Sequence, residues 1–291
     1  MGMELKGIAG AVTAVTGFEK GSGKTTFLNL ALPYAREAGP VAAFTIGVDG
    51  SLKAREAGVT VPEIRVEPGD VVLTTEPFAR ASSARFEVLE TLPGRTALGR
   101  LLVGRAVRAG SITLVGPEHF SLLADVIDQV RREGWAHSVL VDGAVNRITQ
   151  VSALGDVRFA FTVRVDRANL AKASARIRAL AELAELPLEI HPAAGVHRVD
   201  GPLTAETLKT LPEGTQALSV EDFTKFFLDP SELTRALERY RITVRRAFEL
   251  LCFAITLRDV SRSEFLLAAG PRAGARLLFN PYEVGSGEAR P

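Results

Sequence analysis

Between a β-branched apolar run, AVTAVT at 11–16, and a segment carrying Phe27, Leu28, Leu30, Ala31 and Leu32 stands the stretch Lys20-Gly21-Ser22-Gly23-Lys24-Thr25-Thr26. This feature constrains the fold more than any other. A buried strand, a glycine-rich loop and an amphipathic helix in that order open an α/β unit. A second apolar strand follows at 41–47 (VAAFTIG), ending at Val48-Asp49-Gly50. Strand, helix, strand in that order predicts a parallel sheet. Pro33 falls inside the helical segment, where it removes a hydrogen bond and predicts a kink or an early end.

The loop has its own chemistry. Phosphate oxygens need converging donors, and glycine lets successive backbone N–H groups point into one concave nest. Gly21 and Gly23 supply that freedom, with Ser22 between them. The helix that follows offers unsatisfied amides and the positive end of its dipole to an anion. Lys24 would reach the β- and γ-phosphates, the Thr25 hydroxyl would ligate Mg²⁺, and Thr26 is a further donor. The common pattern G-x-x-x-x-G-K-[ST] has a glycine where this chain has Phe18, and Gly17 comes one residue too early. The expected ligand is therefore a magnesium-bound nucleoside triphosphate held by a variant loop.

Such a site also needs an acid. Asp142 ends the apolar run SVLV, at the strand end where parallel sheets place ligands, and is the candidate second metal residue. The other reading is a turn residue preceding Gly143. Asp49, in the same Asp-Gly setting, would position the attacking water or serve a simple turn. Lys20 would add charge to the transition state or stand solvated, and Arg147 is a weaker candidate of that kind. His119, His137, His191 and His197 show no metal-ligand spacing, and Cys252 lies in an apolar run that suits a core.

The rest of the chain alternates elements. EIRVEPGDVVLTT (63–75) and ALGRLLVGRAVRAGSITLVG (97–116) both read as hairpins, around Pro68-Gly69 and Ala109-Gly110, and predict an antiparallel insertion at about 60–116. A helix over 117–134, strands at 138–143 and 158–165, and an alanine-rich helix at 167–186 follow. The expected organisation is a nucleotide-binding core over 1–166 and an α/β half over 167–291 that continues the same sheet.

Composition narrows the class of partner. The 291 residues carry 35 basic and 34 acidic side chains, so no global field draws the protein to nucleic acid or to an anionic membrane. A single cysteine rules out an intrachain disulfide. The opening MGMELKGIAGAVTAVTG leads straight into the loop, as a first strand would, and AFELLCFAITL at 247–257 is shorter than the ~20 residues of a spanning helix. A cytoplasmic location is the expectation.

Beyond the loop, the order GFEKGSGKTTFLN, TIGVDG, PGDVVLTT, TALGRLLVGRAVRAGSITLVGP, VLVDGAVNR and FNPY resembles the P-loop subunits of lysine 5,6-aminomutase reactivases, within the P-loop NTPase superfamily. The resemblance spans most of the chain. It implies an ATPase, with Lys20 to Thr26 as its loop, that acts with a MutS-related ATPase subunit to release damaged cobalamin from an adenosylcobalamin-dependent aminomutase. Two other readings stand beside it. One is a small-molecule synthetase or GTPase of the dethiobiotin or molybdopterin type, which needs no protein partner. The other is a nucleotide-sensing module without turnover. No guanine-reading N-K-x-D segment is evident, which favours ATP over GTP.

Overall fold

A computed structural model describes residues 5–19, 21–46, 63–93, 96–143, 156–191, 194–271 and 276–281. The chain divides into two compact units: Met1–Arg164 with Ala254–Thr256 and Asn280–Pro291, and Val165–Phe253 with Leu257–Phe279.

In the first unit, β1 (Val12–Gly17) is buried at every position and leads through the glycine loop into α1 (Lys24–Ala35). The strands that follow are β2 (Val41–Thr45), β3 (Ile64–Val66) and β4 (Val71–Thr75). The short helix α2 (Glu76–Ala81) precedes β5 (Arg85–Thr91), β6 (Leu101–Arg108) and β7 (Gly110–Ile112). After α3 (Phe120–Arg132) come β8 (Ser138–Asp142) and β9 (Val157–Val165). β1 lies between β8 and β9, and β2 between β8 and β4, all parallel. β6 pairs antiparallel with β4 and β5. The protein is thus α/β, with a large, mostly parallel sheet flanked by helices.

Burial explains why the centre of this sheet is parallel. β1, β2, β4 and β8 are buried along their whole length, as strands covered on both faces must be. α1 seals one face with Phe27, Leu28 and Leu32, each at most 1% exposed and each worth ~2 kcal/mol of burial. The helix runs past Pro33 to Ala35 and tightens into a 3₁₀ turn over Arg36–Ala38.

The two hairpins expected at 63–75 and 97–116 do not form. β3 pairs with β7, and β4 joins the main sheet beside β2. The turn between β3 and β4 redirects the chain instead of reversing it. Gly69 takes φ +97°, the Asp70 carboxylate accepts the Glu67 N–H, and Arg36 forks onto both oxygens of Asp70 at 3.1 and 2.6 Å. Asn29 of α1 completes the β3 ladder as a strand would. It donates to the Glu63 carbonyl and accepts the Arg65 N–H, both at 2.8 Å.

The second unit begins with α4 (Leu170–Ala184), then β10 (His197–Arg198), β11 (Leu203–Thr204), α5 (Ala205–Lys209), β12 (Ala217–Val220) and β13 (Phe226–Phe227). α6 (Pro230–Arg239), β14 (Arg241–Val244), β15 (Glu249–Leu257, of which Ala254–Thr256 belong to the first unit), α7 (Arg262–Ala269) and β16 (Leu277–Phe279) follow. β10, β12 and β14 form a small parallel sheet over a core that includes Leu203, Leu218, Val220, Tyr240 and Ile242. Cys252, in β15, is buried.

Candidate functional site

Chain direction puts the C-terminal ends of β1, β8 and β2 side by side. Val15 pairs with Asp142, and Asp142 pairs with Thr45. Side chains at paired positions share a face. Ser138, four residues before Asp142, donates its hydroxyl to the last α1 carbonyl, that of Ala35, at 2.8 Å. The even spacing therefore places Asp142 on the face that α1 covers, at the strand end where the loop leaves β1. Its residue surface is 5% exposed, and its own carbonyl accepts the Thr45 hydroxyl and the Ile46 N–H, each at 3.3 Å.

The loop is shaped from both ends. Gly21 and Gly23 adopt φ of +77° and +93°, a region where a side chain would be strained. Gly23 is the N-cap of α1 and, having no side chain, forms no side-chain cap. The first intrahelical bond runs from the Phe27 N–H to the Gly23 carbonyl at 2.9 Å, so the amides before it have no bond within the helix. A Cβ on Gly21 would meet nothing within 4 Å, whereas one on Gly17 would sit 2.0 Å from the Ser22 hydroxyl. Gly17 is thus required because the loop folds back over it, a role the spacing pattern did not reveal.

β9 holds the loop from the side. The Ser22 hydroxyl lies 2.8 Å from that of Thr162, which in turn donates to the Thr16 carbonyl at 3.1 Å. Phe18 donates its N–H to the Thr162 carbonyl at 3.3 Å and sets its ring edge-on against Phe161, centroids 6.0 Å apart. The aromatic residue at the pattern's glycine position is therefore an anchor. Thr162 was not singled out in the sequence, although a threonine in the otherwise apolar run FAFTV was the available signal.

Lys24, Thr25 and Thr26 form the first turn of α1 and are partly exposed, while Ser22 is buried. Lys20, Asp49 and Arg147 lie outside the described residues. The structure therefore brings together Gly21 to Thr26 and Asp142 out of the set expected from sequence. Among the described residues no cluster of three or more His, Cys, Asp or Glu side chains could hold a metal.

The donor set fits a magnesium-bound polyphosphate. The loop offers left-handed glycines, helix-start amides and the Lys24 ammonium, and the end of β8 supplies a carboxylate. Magnesium in such settings takes one or two protein oxygens, with phosphate and water completing its shell. Comparison with family models, with curated proteins and with solved structures returns no match for this chain. Among the described residues no helix is long and apolar enough to cross a membrane.

Proposed function

We propose that the chain is a P-loop NTPase that binds ATP with Mg²⁺ and converts binding and hydrolysis into a conformational change on a protein partner. One observation carries the reading. The loop between β1 and α1 ends in a helix start without a side-chain cap, and the adjacent strand end supplies a carboxylate on the same face. The amides of residues 21–26 would cradle the phosphates. Lys24 would balance charge on the terminal two, and Thr25 with Asp142 would hold the metal. Bound there, Mg²⁺ screens the phosphate oxygens from one another. Asp49 and Lys20 keep the roles given them by the sequence, orienting water and adding positive charge.

By its resemblance in segment order, the partner reading is a reactivase. The chain would be the nucleotide-binding subunit that, with a MutS-related ATPase subunit, exchanges damaged cobalamin on an adenosylcobalamin-dependent aminomutase. The test is phosphate release from ATP and GTP by the purified chain, alone and with such a partner plus inactivated aminomutase, with Lys24→Ala as control. Partner-dependent release from ATP is the expected result. Turnover that needs only a metabolite would favour a synthetase, binding without release would favour a sensing module, and no binding of either nucleotide would end the proposal.

A further inference from the structure

The loop carries an acid that works against its proposed ligand. Glu19 lies between Phe18 and the Gly21–Thr26 cradle, and a carboxylate there repels a polyphosphate through Coulomb's law. The structure sets Arg164 against it, with Nη2 3.7 Å from Oε1 and the two side chains 37% and 44% exposed. Register delivers the arginine. Gly17 pairs with Thr162, whose hydroxyl reaches Ser22, so Arg164, two residues further along β9, shares that face at the loop's edge. Phe161, Thr162 and Arg164 thus engage Phe18, Ser22 and Glu19 in one short stretch of strand. An exposed pair at this separation adds little to stability, so its consequence lies in the field at the loop.

We infer that Arg164 is a positioning residue of the phosphate site. It neutralises Glu19 and draws that carboxylate toward β9, so that the loop presents its amides and Lys24 without a competing negative charge. The inference rests on the nucleotide reading above. It adds that an acid in the loop is tolerated because a neighbouring strand compensates it.

The test is titration calorimetry of Mg·ATP into the wild type, Arg164→Gln, Glu19→Gln and the double variant, repeated with AMP and at raised salt. A thermal melt of each variant checks the fold. Arg164→Gln should bind ATP about tenfold more weakly, Glu19→Gln two- to threefold more tightly, and the double variant within about twofold of wild type. The changes should be smaller for AMP, which carries less charge, and should shrink as salt screens the field. Arg164→Lys, which keeps the charge, should stay close to wild type and serves where the glutamine variant fails to fold. If both single variants weaken binding and the double variant adds their losses, the pair is merely structural and the inference fails. If the wild type binds ATP but Arg164→Gln leaves affinity unchanged, this inference alone falls. If the wild type binds no nucleotide, the reading beneath it falls as well.

Discussion

The start of α1 and the starts of α6 and α7 solve the same problem in opposite ways. Every helix begins with amides that its own ladder does not bond. α6 and α7 close theirs with reciprocal boxes. Asp229 accepts from the Ser231 and Glu232 N–H groups while Glu232 reaches back to the Asp229 N–H, and Ser261 and Glu264 repeat the exchange. α1 instead begins at a left-handed glycine with no side-chain acceptor. A capped start stabilises its own helix, whereas on the proposed reading the glycine start of α1 turns its donors to an anion. On that reading one start serves stability and the other binding, and substitutions at the two places should divide the same way.

Lys24→Ala makes the largest break. On the proposed reading its ammonium balances charge on the terminal phosphates, so removing it should weaken Mg·ATP binding by about 1,000-fold, or ~4 kcal/mol. Because the side chain is partly exposed, the thermal midpoint without nucleotide should barely move. Calorimetry and a melt on the same preparation check both halves. A large loss of stability would mean that Lys24 holds the fold and that the proposed division is wrong.

Next in size is Arg36→Ala, at the far end of the same helix. Asp70 has only 3% of its side chain exposed, and Arg36 pairs with it at 2.6 Å. Loss of the guanidinium leaves a buried carboxylate without its charge partner, at a cost of about 3 kcal/mol read from urea unfolding. Asn29 and Arg36 tie α1 and the turn that follows it to the β3–β4 region, away from the Gly23 end. Affinity for nucleotide, measured where the variant remains folded, should stay within a few-fold.

The same contrast shows what the sequence could reveal. β1, the loop, α1, β2, β8 and β9 were legible because each is a local signal: an apolar run, a glycine cluster or a helical spacing. The hairpins were not, because strand partners are chosen by non-local packing. Pro68-Gly69 is a real turn, yet β3 pairs with β7, Ile64 opposite Ile112 and Val66 opposite Gly110, and β4 pairs with β2. What redirects the chain is the buried Asp70 and its distant partner Arg36, which no local pattern links. β5 escaped notice because both edges of its pattern are polar, although Phe86 and Val88 alternate with Glu87. At the site, Lys24, Thr25 and Asp142 could be picked out by type and position. Gly17, Thr162 and Arg164 could not, since their roles arise only when β9 lies beside β1.

Smaller effects belong to the capped helices. Ser261→Ala should cost about 1 kcal/mol of stability, because it removes the acceptor for the Glu264 N–H at the start of α7, and it should leave nucleotide affinity unchanged. A change in affinity would show that the two regions are coupled.

The smallest effect is a dependence on pH, and it carries a sign. Hydrogen bonds from the Glu232 backbone and then from the Ser231 side chain hold the Asp229 carboxyl below its ordinary value, and the Ser261 backbone and hydroxyl do the same for Glu264. A carboxylate whose native pKa is depressed binds fewer protons when folded than when unfolded. Its contribution is therefore complete above the unfolded value of about 4 and is lost as pH falls through the lower native value. Both groups are solvent-exposed, so salt and water temper the effect. The comparison to make is wild type against Glu264→Gln in urea titrations from pH 7 to pH 3. The wild type should be the more stable above pH 5, and the gap should close below pH 4, where a protonated glutamate and a glutamine differ little. A gap that holds constant across that range would mean that the α7 box works through geometry alone, with no part played by charge at the helix start.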